Sequence, residues 1–510
     1  MKLFDGVPRA VWLIVALHGA LLALYSVSFA PFRGPDEPQH TDLVRYVANE
    51  RDYPRYDERK LGVQIWNAFG IVRFDVPAVR SRDLPEEGAP PRAERPGFDE
   101  LGSPRAVIPD ESNQLPSHPP LYYVIAASVS YGANEIWDEL AFDQEVGILR
   151  LFDALMVLPL PLLAWLTARR LGAGWNVGLA ASAAMLAVPQ LHHIGASVTN
   201  DGLLNLLIAL TTLLVARIAT GDRSWRVAAL VGVVSGLALL TKAFALFLPI
   251  WILLAFAVAV KHGWKWRAAA PRAGVALALA FVVGGWWWAR NLLVFGQLQT
   301  GIKLLAPAPS GFEPDVSWWL GRYFTLMPWR FWGSFGWLDV NIPAVLAIVA
   351  TAALIAAVMF GIFRAGARRL ELLLMLVPAA AIAAMVAIGA FQGYLRTSFD
   401  EGLQGRYLFP GLVGMMVVAA WGLRRRWAPL VVLGLAGVMQ LNALGTILGF
   451  YWGGANPIQE IGAAVAWSPW HPAVLLIGAV GLVAVASVTV AQLFREARPQ
   501  GLPKVAVAAT

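Results

Sequence analysis

Long apolar runs recur along this chain, and most of them reach the ~20 residues that the hydrocarbon core of a bilayer requires. With 58% of 510 residues hydrophobic and only 14% charged, a water-soluble globule could not cover this much apolar surface. Hydropathy predicts an all-α, polytopic transmembrane bundle of about twelve spans, near 10–30, 148–168, 174–194, 202–219, 227–241, 243–260, 272–290, 340–362, 371–391, 406–423, 427–448 and 472–493. The fifth is short, and Lys242 marks its boundary with the sixth. The first, Ala10–Ala30, is not followed by a small-residue cleavage site in a polar region, so it reads as a retained span rather than a signal peptide. The chain has no cysteine, which excludes disulfide and thiolate chemistry.

Charge orients the spans. With the N-terminus inside, alternate ends carry Lys2 and Arg9, Arg169 and Arg170, Arg223 and Arg226, then Lys261, Lys265 and Arg267. The series continues with Arg364, Arg368 and Arg369, then Arg424 to Arg426, then Arg495 and Arg498. Every short loop on that side is basic, so both termini are expected in the cytoplasm, and the net charge of +7 reflects membrane anchoring rather than nucleic-acid binding. A further apolar run, 119–133, begins at a Pro pair and reads as an interfacial or re-entrant helix. Counting it as a span would invert all later basic clusters.

The expected organisation is therefore a first transmembrane helix (1–30), a large, partly helical extracytoplasmic loop with interfacial helices (31–147) and transmembrane helices 2–7 (148–290). An extracytoplasmic aromatic and basic loop (291–339), transmembrane helices 8–12 (340–493) and a cytoplasmic tail (494–510) complete it. Loops 392–405 and 449–471 also face outward.

Polar residues gather on the outer side. The stretch "FAPFRGPDEPQH" (29–40) places Arg33, Asp36, Glu37 and His40 at the lip of the first span. Asp36-Glu37-Pro38-Gln39 is a good helix start, with an acidic cap, an early proline and a capping-box spacing to Gln39. The helix that follows carries His40, Leu43, Val44 and Val47 on one face and is expected to lie on the membrane surface. Capping accounts for one carboxylate, not for two beside an arginine and a histidine. "SHPPLYY" (117–123) offers either a loop anchored by tyrosines or a rigid turn aiming His118 into a cavity. Asn200 and Asp201, Lys242, Arg290, Arg322, Arg330, Arg396, Arg406 and Tyr407 lie at other outward ends. A single cation there is commonly a snorkelling anchor. Many of them, set against the positive-inside trend and beside carboxylates, point to an anionic substrate in a wet cavity.

A phosphate at the membrane surface accounts for the cations, because Arg binds it bidentately and a low dielectric strengthens the pairing. An aspartate beside it suits a general base that takes a proton from an acceptor hydroxyl while the phosphate leaves. Aromatic loops suit sugar rings or isoprenoid chains. These features describe glycosyl transfer from a polyprenyl-phosphate sugar. Such a donor brings its own leaving group, in keeping with the lack of any Walker or Rossmann fingerprint in the sequence.

The order of motifs resembles the GT-C superfamily of integral-membrane glycosyltransferases, which includes protein O-mannosyltransferases and the aminoarabinose transferases of lipid A. The resemblance rests on Asp36-Glu37 after the first span, "HPPLYY" (118–123), "LRLFDAL" (149–155), "TND" (199–201) and "WWARN" (287–291), and covers roughly the first 300 residues. Through "FWGSFGW" (331–337) and "LQGRYLFP" (403–410), the second half looks like a bacterial family of predicted membrane proteins in the same superfamily. The resemblance implies a catalytic base at Asp36 with Glu37 beside it, and a second acidic position at Asp201. It also implies a donor-phosphate site shaped by His118 and the outer cations, and inverting chemistry. Some relatives use a divalent metal (Mg or Mn) and others none. If one binds here, Asp36, Glu37 and Asp201 are its expected ligands. The implied partners are a polyprenyl-phosphate-linked sugar, a glycan, lipid or protein acceptor and the bilayer, with no nucleic acid. The implied location is the bacterial inner membrane, with the active site on the extracytoplasmic face. Two other readings stand beside it: a transporter or flippase for a lipid-linked glycan, although no inverted repeat is visible, and a non-catalytic scaffold for envelope assembly.

Overall fold

The computed structural model describes residues 6–72, 88–137, 140–302, 306–453 and 456–498. Lys2 and the tail beyond residue 498 lie outside them. The first span is α1 (Arg9–Val27). The segment after it folds into α2 (Glu37–Glu50), α3 (Val63–Val72), α4 (Leu121–Ile136) and a small antiparallel ribbon, β1 (Lys60–Gly62) with β2 (Val107–Ser112). The bundle continues with α5 (Phe142–Val157), α6 (Leu160–Arg170), α7 (Trp175–Ala184), α8 (Pro189–Gly195), α9 (Asp201–Ala219), α10 (Trp225–Leu239), α11 (Leu248–Lys261), α12 (Trp266–Ala280) and α13 (Trp286–Phe295). The second half holds α14 (Val316–Trp332), a two-stranded β3–β4 ribbon (Ser334–Phe335, Val340–Asn341), α15 (Ala344–Phe363), α16 (Arg369–Thr397), α17 (Leu412–Ala420), α18 (Ala428–Tyr451), α19 (Pro457–Trp467) and α20 (Pro472–Ala497).

The chain is an all-α polytopic membrane bundle, with little sheet among the described residues. Among the described residues, nine helices are long and apolar enough to cross a bilayer, and α7 with α8 makes a tenth if that bent pair is one span. The expected count of about twelve includes two more segments, and both are shorter apolar helices: α10 and the stretch Gly405–Ala420. The bend between α7 and α8 is 67° and has a local cause. Val188 precedes Pro189 and is extended (φ −112°, ψ 90°), the conformation that a following proline imposes. The bend sends the chain through 196–200 into Asp201 at the head of α9.

The segment between α1 and α5 is more deeply folded than its sequence suggests. The sequence places α2 on the membrane surface, yet His40, Leu43, Val44 and Val47 are all buried in protein, and α2 packs along α4. Charged partners compensate for that burial. Asp42 receives both arms of Arg59, at 2.6 and 2.9 Å, together with Gly62 N. Arg45 pairs with Glu145 at 2.5 Å.

Sidedness has a direct readout, because the chain contains no native cysteine. Asp110→Cys lies in β2 and Lys261→Cys at the end of α11, in a basic cluster, and both positions are exposed. In sealed cells, an impermeant maleimide is expected to label Asp110→Cys alone. Labelling of both from outside would contradict the orientation.

Candidate functional site

The side chains that come together belong to five separate segments. Asp36 takes the N-cap position of α2 in a left-handed conformation (φ 59°), and its carbonyl accepts from His40 N at 2.9 Å. Its carboxylate does not cap the helix. Instead, Oδ1 accepts from Gln114 Nε2 at 3.3 Å and Oδ2 from Arg406 Nη2 at 3.4 Å. The capping reading therefore holds for the backbone of Asp36 but not for its side chain.

Arg406 is the hub. It sits in a 3-10 turn, Gly405–Gly411, that leads into α17. Gly405 makes this turn possible: a side chain there would run into the backbone of Met327 and Phe331 in α14. The guanidinium is almost fully buried, its Nε donates to Gln404 Oε1 at 2.6 Å, and the same nitrogen lies 3.7 Å from Asp201 Oδ2. Its Nη1 has no hydrogen-bond partner among the described residues. Asp201 Oδ1 in turn accepts from Lys242 Nζ at 2.5 Å, and Lys242 also donates to Asn200 Oδ1 at 3.1 Å. The Lys242 ammonium lies 5.4 Å from the Tyr407 ring centroid. The result is a chain of alternating charge, Asp36–Arg406–Asp201–Lys242. Three of its members are buried, whereas the Asp36 side chain is 29% exposed. The cluster is therefore reached by solvent at Asp36.

His40 and His118 border this chain. His40 Nδ1 is 3.1 Å from Tyr123 OH, and Tyr53 OH donates to the His118 carbonyl at 2.8 Å. Burial, with the Lys242 ammonium next in weight, lowers both imidazoles: His118 to about 3 and His40 well below its usual value. Both are neutral donors or acceptors near pH 7. The unfolded chain would protonate them near pH 6.5, and the folded chain would not. Stability should therefore fall as pH falls, by roughly 1.4 kcal/mol per pH unit for His118 between about pH 6 and 4, with His40 acting in the same direction. Thermal unfolding in detergent at pH 7 and pH 5 measures this. His118→Gln should flatten the dependence, and a slope equal to that of the parent protein would show that His118 is not held neutral.

Not every expected residue joins the cluster. Glu37 is fully buried, and both its oxygens accept from Arg150, each at 2.8 Å, with Val198 N and Gly34 N as further donors. Arg33 turns inward to the Val72 carbonyl. Arg290 stacks on Trp287 and Phe295, and Trp287 meets the Tyr53 ring beside His118. Arg322 pairs with Asp400 at 2.5 Å, and Arg330 donates to the Leu403 carbonyl. Arg396 is exposed and bonds a carbonyl of its own helix. Asp36, Glu37 and Asp201 thus do not converge as a ligand set. Arg150 takes Glu37, and Asp201 faces Lys242 and Arg406. Among the described residues no group of three His, Asp or Glu side chains could hold a metal ion. This donor set does not fit a carboxylate-held divalent cation.

Arg150 and Asp153 hold the site in place and were missed as partners. Arg150 also donates to the carbonyls of Ser26, Phe29 and Ala30, which fixes the chain just after α1. Asp153 accepts from Thr199 N and Tyr122 OH, tying α4 and α5 to the turn before Asp201. The signal was present in "LRLFDAL", where two ionisable residues stand inside an apolar run.

The family model described as "Predicted membrane protein (DUF2142)" matches residues 20–415, which include every member of the cluster. The chain belongs to the DUF2142 family. This confirms the likeness to a family of predicted membrane proteins seen in "FWGSFGW" and "LQGRYLFP". No curated protein matches this DUF2142 chain. Among solved structures, it is similar to ArnT from Cupriavidus metallidurans in the apo state, with 15% identity, a TM-score of 0.47 and coverage of 96% of this chain and 77% of that one. For ArnT bound to undecaprenyl phosphate, the figures are 13%, 0.47, 96% and 78%. It is also similar to the Archaeoglobus fulgidus oligosaccharyltransferase in the apo form, with 11% identity, a TM-score of 0.40 and coverage of 99% of this chain and 57% of that one. The DUF2142 chain thus spans just over half the length of the archaeal enzyme. At these scores the likeness is general, and residue roles are taken from the chain itself.

Proposed function

We propose that this DUF2142 protein is a membrane glycosyltransferase. It moves a sugar from a polyprenyl-phosphate donor to an acceptor hydroxyl of an envelope glycan, lipid or protein, on the extracytoplasmic face of the bacterial inner membrane. The observation that carries the reading is Arg406, a buried guanidinium shared by two carboxylates, with one nitrogen unpartnered among the described residues, beside a buried lysine and an open aspartate. The order of GT-C-like motifs in the sequence supports it.

The donor phosphate binds between Arg406 and Lys242, next to Tyr407. Two unit charges ~4 Å apart interact by about 4 kcal/mol at an effective dielectric of about 20, so these cations attract a lipid phosphate strongly at the membrane lip. Arg406 leaves Asp36 for the phosphate and Lys242 remains with Asp201. Asp36 then takes the proton of the acceptor hydroxyl. The acceptor oxygen bonds to the anomeric carbon from the face opposite the phosphate. The carbon–oxygen bond to phosphate breaks, and the leaving phosphate keeps the electron pair. The charge it gains falls on the two cations, which are already in place. Neutral His40 and His118 add hydrogen bonds without adding charge.

Purified protein in proteoliposomes, given a polyprenyl-phosphate sugar and an envelope extract, separates the readings. Glycosyl transfer supports this one, translocation without transfer indicates a flippase, and neither indicates a scaffold. Mass spectrometry of envelope glycans from a strain lacking the protein then identifies the sugar.

A further inference from the structure

A polar cleft of about 1120 Å³ lies at the far end of α2 from Asp36. The last turns of α2 supply Arg45, Ala48 and Asn49 at helical spacing, and the last turns of α4 supply Ser130, Tyr131 and Asn134. The first turn of α5 and the stretch 92–100 close it. The volume lies above the range of roughly 300–1,000 Å³ that suits a drug-sized molecule, so it fits a ligand of several linked units.

The floor is a buried ion pair whose charges cancel. Glu145 accepts from Arg45 Nη1 and from Ser130 Oγ, both at 2.5 Å, and the Glu145 and Arg45 side chains are 2% and 9% exposed. The other two nitrogens of Arg45 donate to Gln64 and Asp99. Two more guanidiniums line the cleft, and both are aimed at protein groups. Arg92 donates to the Val465 and Ser468 carbonyls, and Arg95 to Asp143 and the Ala466 carbonyl. No guanidinium is offered to an anion, and the exposed carboxylates of Asp99 and Glu135 at the rim repel one.

What the rim does offer is hydrogen-bonding capacity beside an aromatic ring. Asn49 and Asn134 are exposed amides. Asn134 gives one hydrogen to the Ser130 carbonyl at 2.9 Å, which leaves its oxygen and its second hydrogen available. Asp99 accepts from Arg45 and Gln64 through Oδ1, so Oδ2 is left to accept from a ligand. The Tyr131 ring is 47% exposed, and Arg51 stands 5.8 Å over one face of it. Amides and carboxylates that accept from hydroxyls, next to an aromatic surface that packs on C–H groups, match a polyhydroxylated ring.

We propose that this cleft binds a neutral oligosaccharide, as a subsite for the remote sugars of a glycan acceptor. Arg45 and Asn49 stand about 14–20 Å along α2 from Asp36, a distance that a few linked sugars cover. The acceptor role rests on the glycosyltransferase reading, whereas sugar binding in the cleft does not.

The test is saturation-transfer NMR on the protein in lipid nanodiscs with maltotriose, cellotriose, mannotriose and chitotriose, and with trilysine as a cationic comparison. Saturable binding of at least one of these trisaccharides is expected. Tyr131→Ala and Asn134→Ala should each weaken it by about fivefold, the loss of one ring contact or one hydrogen bond. The melting temperature of each variant checks its fold. Undecaprenyl phosphate binding, measured separately, reports on the donor reading and not on this cleft. Binding of none of the four trisaccharides, or tighter binding of trilysine than of any of them, would overturn the proposal. So would undiminished trisaccharide binding in a folded Tyr131→Ala, Asn134→Ala double variant.

Discussion

Asp36→Asn is expected to lower glycosyl transfer by about 10²–10⁴-fold while leaving the fold and donor binding intact, the range that loss of a general base produces. Asparagine tolerates the left-handed backbone that residue 36 adopts (φ 59°) as well as aspartate does. No cap is lost, because the Asp36 carboxylate does not bond the first turn of α2. The amide oxygen of the substituted side chain can still accept from Gln114 or from Arg406, but not from both in their present places. The partly exposed charge opposite Arg406 is lost together with the capacity to accept a proton. Activity and melting temperature, measured on the same preparation, separate the roles: lost transfer with unchanged melting marks a base, and unchanged transfer removes Asp36 from the chemistry.

Glu37, its neighbour in sequence, should behave in the opposite way. Its pair with Arg150 is buried, with side chains 0% and 4% exposed, and Arg150 serves three backbone carbonyls besides. Glu37→Ala leaves a guanidinium buried without its counter-charge. Breaking such a pair costs about 3–5 kcal/mol, against a whole-protein stability on the order of 5–15 kcal/mol. Glu37→Ala and Arg150→Ala should each lower the melting temperature sharply, and Glu37→Ala with Arg150→Met should recover part of the loss. A Glu37→Ala protein that melts with the parent and loses only activity would contradict the structural role and return Glu37 to the site.

The bundle was legible because hydropathy acts over long stretches: apolar runs set the spans. Arg406 and Lys242 were among six cations that the charge pattern marks at expected outward span ends. The sequence could not show which cations converge. Arg322 and Arg396 look like Arg406 as single residues at outer span ends, yet Arg322 has Asp400 and Arg396 faces solvent. Asp36 and Glu37 are adjacent in sequence, but partners more than 100 residues away divide them between two tasks. The surface reading of α2 failed for a related reason. Its apolar face suits a membrane, but α4 provides a protein surface for the same face, and buried ion pairs at Asp42 and Arg45 compensate for the charges carried inside.

The central claim is that Arg406 and Lys242 hold the phosphate of a polyprenyl-phosphate donor. Binding of undecaprenyl phosphate to purified protein tests it without knowledge of the sugar or the acceptor. The account predicts saturable binding to the parent protein, equal binding to Asp36→Asn, and weakening in Arg406→Ala by about 2–5 kcal/mol, the cost of removing one partner from a desolvated charge pair. Binding to a correctly folded Arg406→Ala protein as tight as to the parent would contradict it.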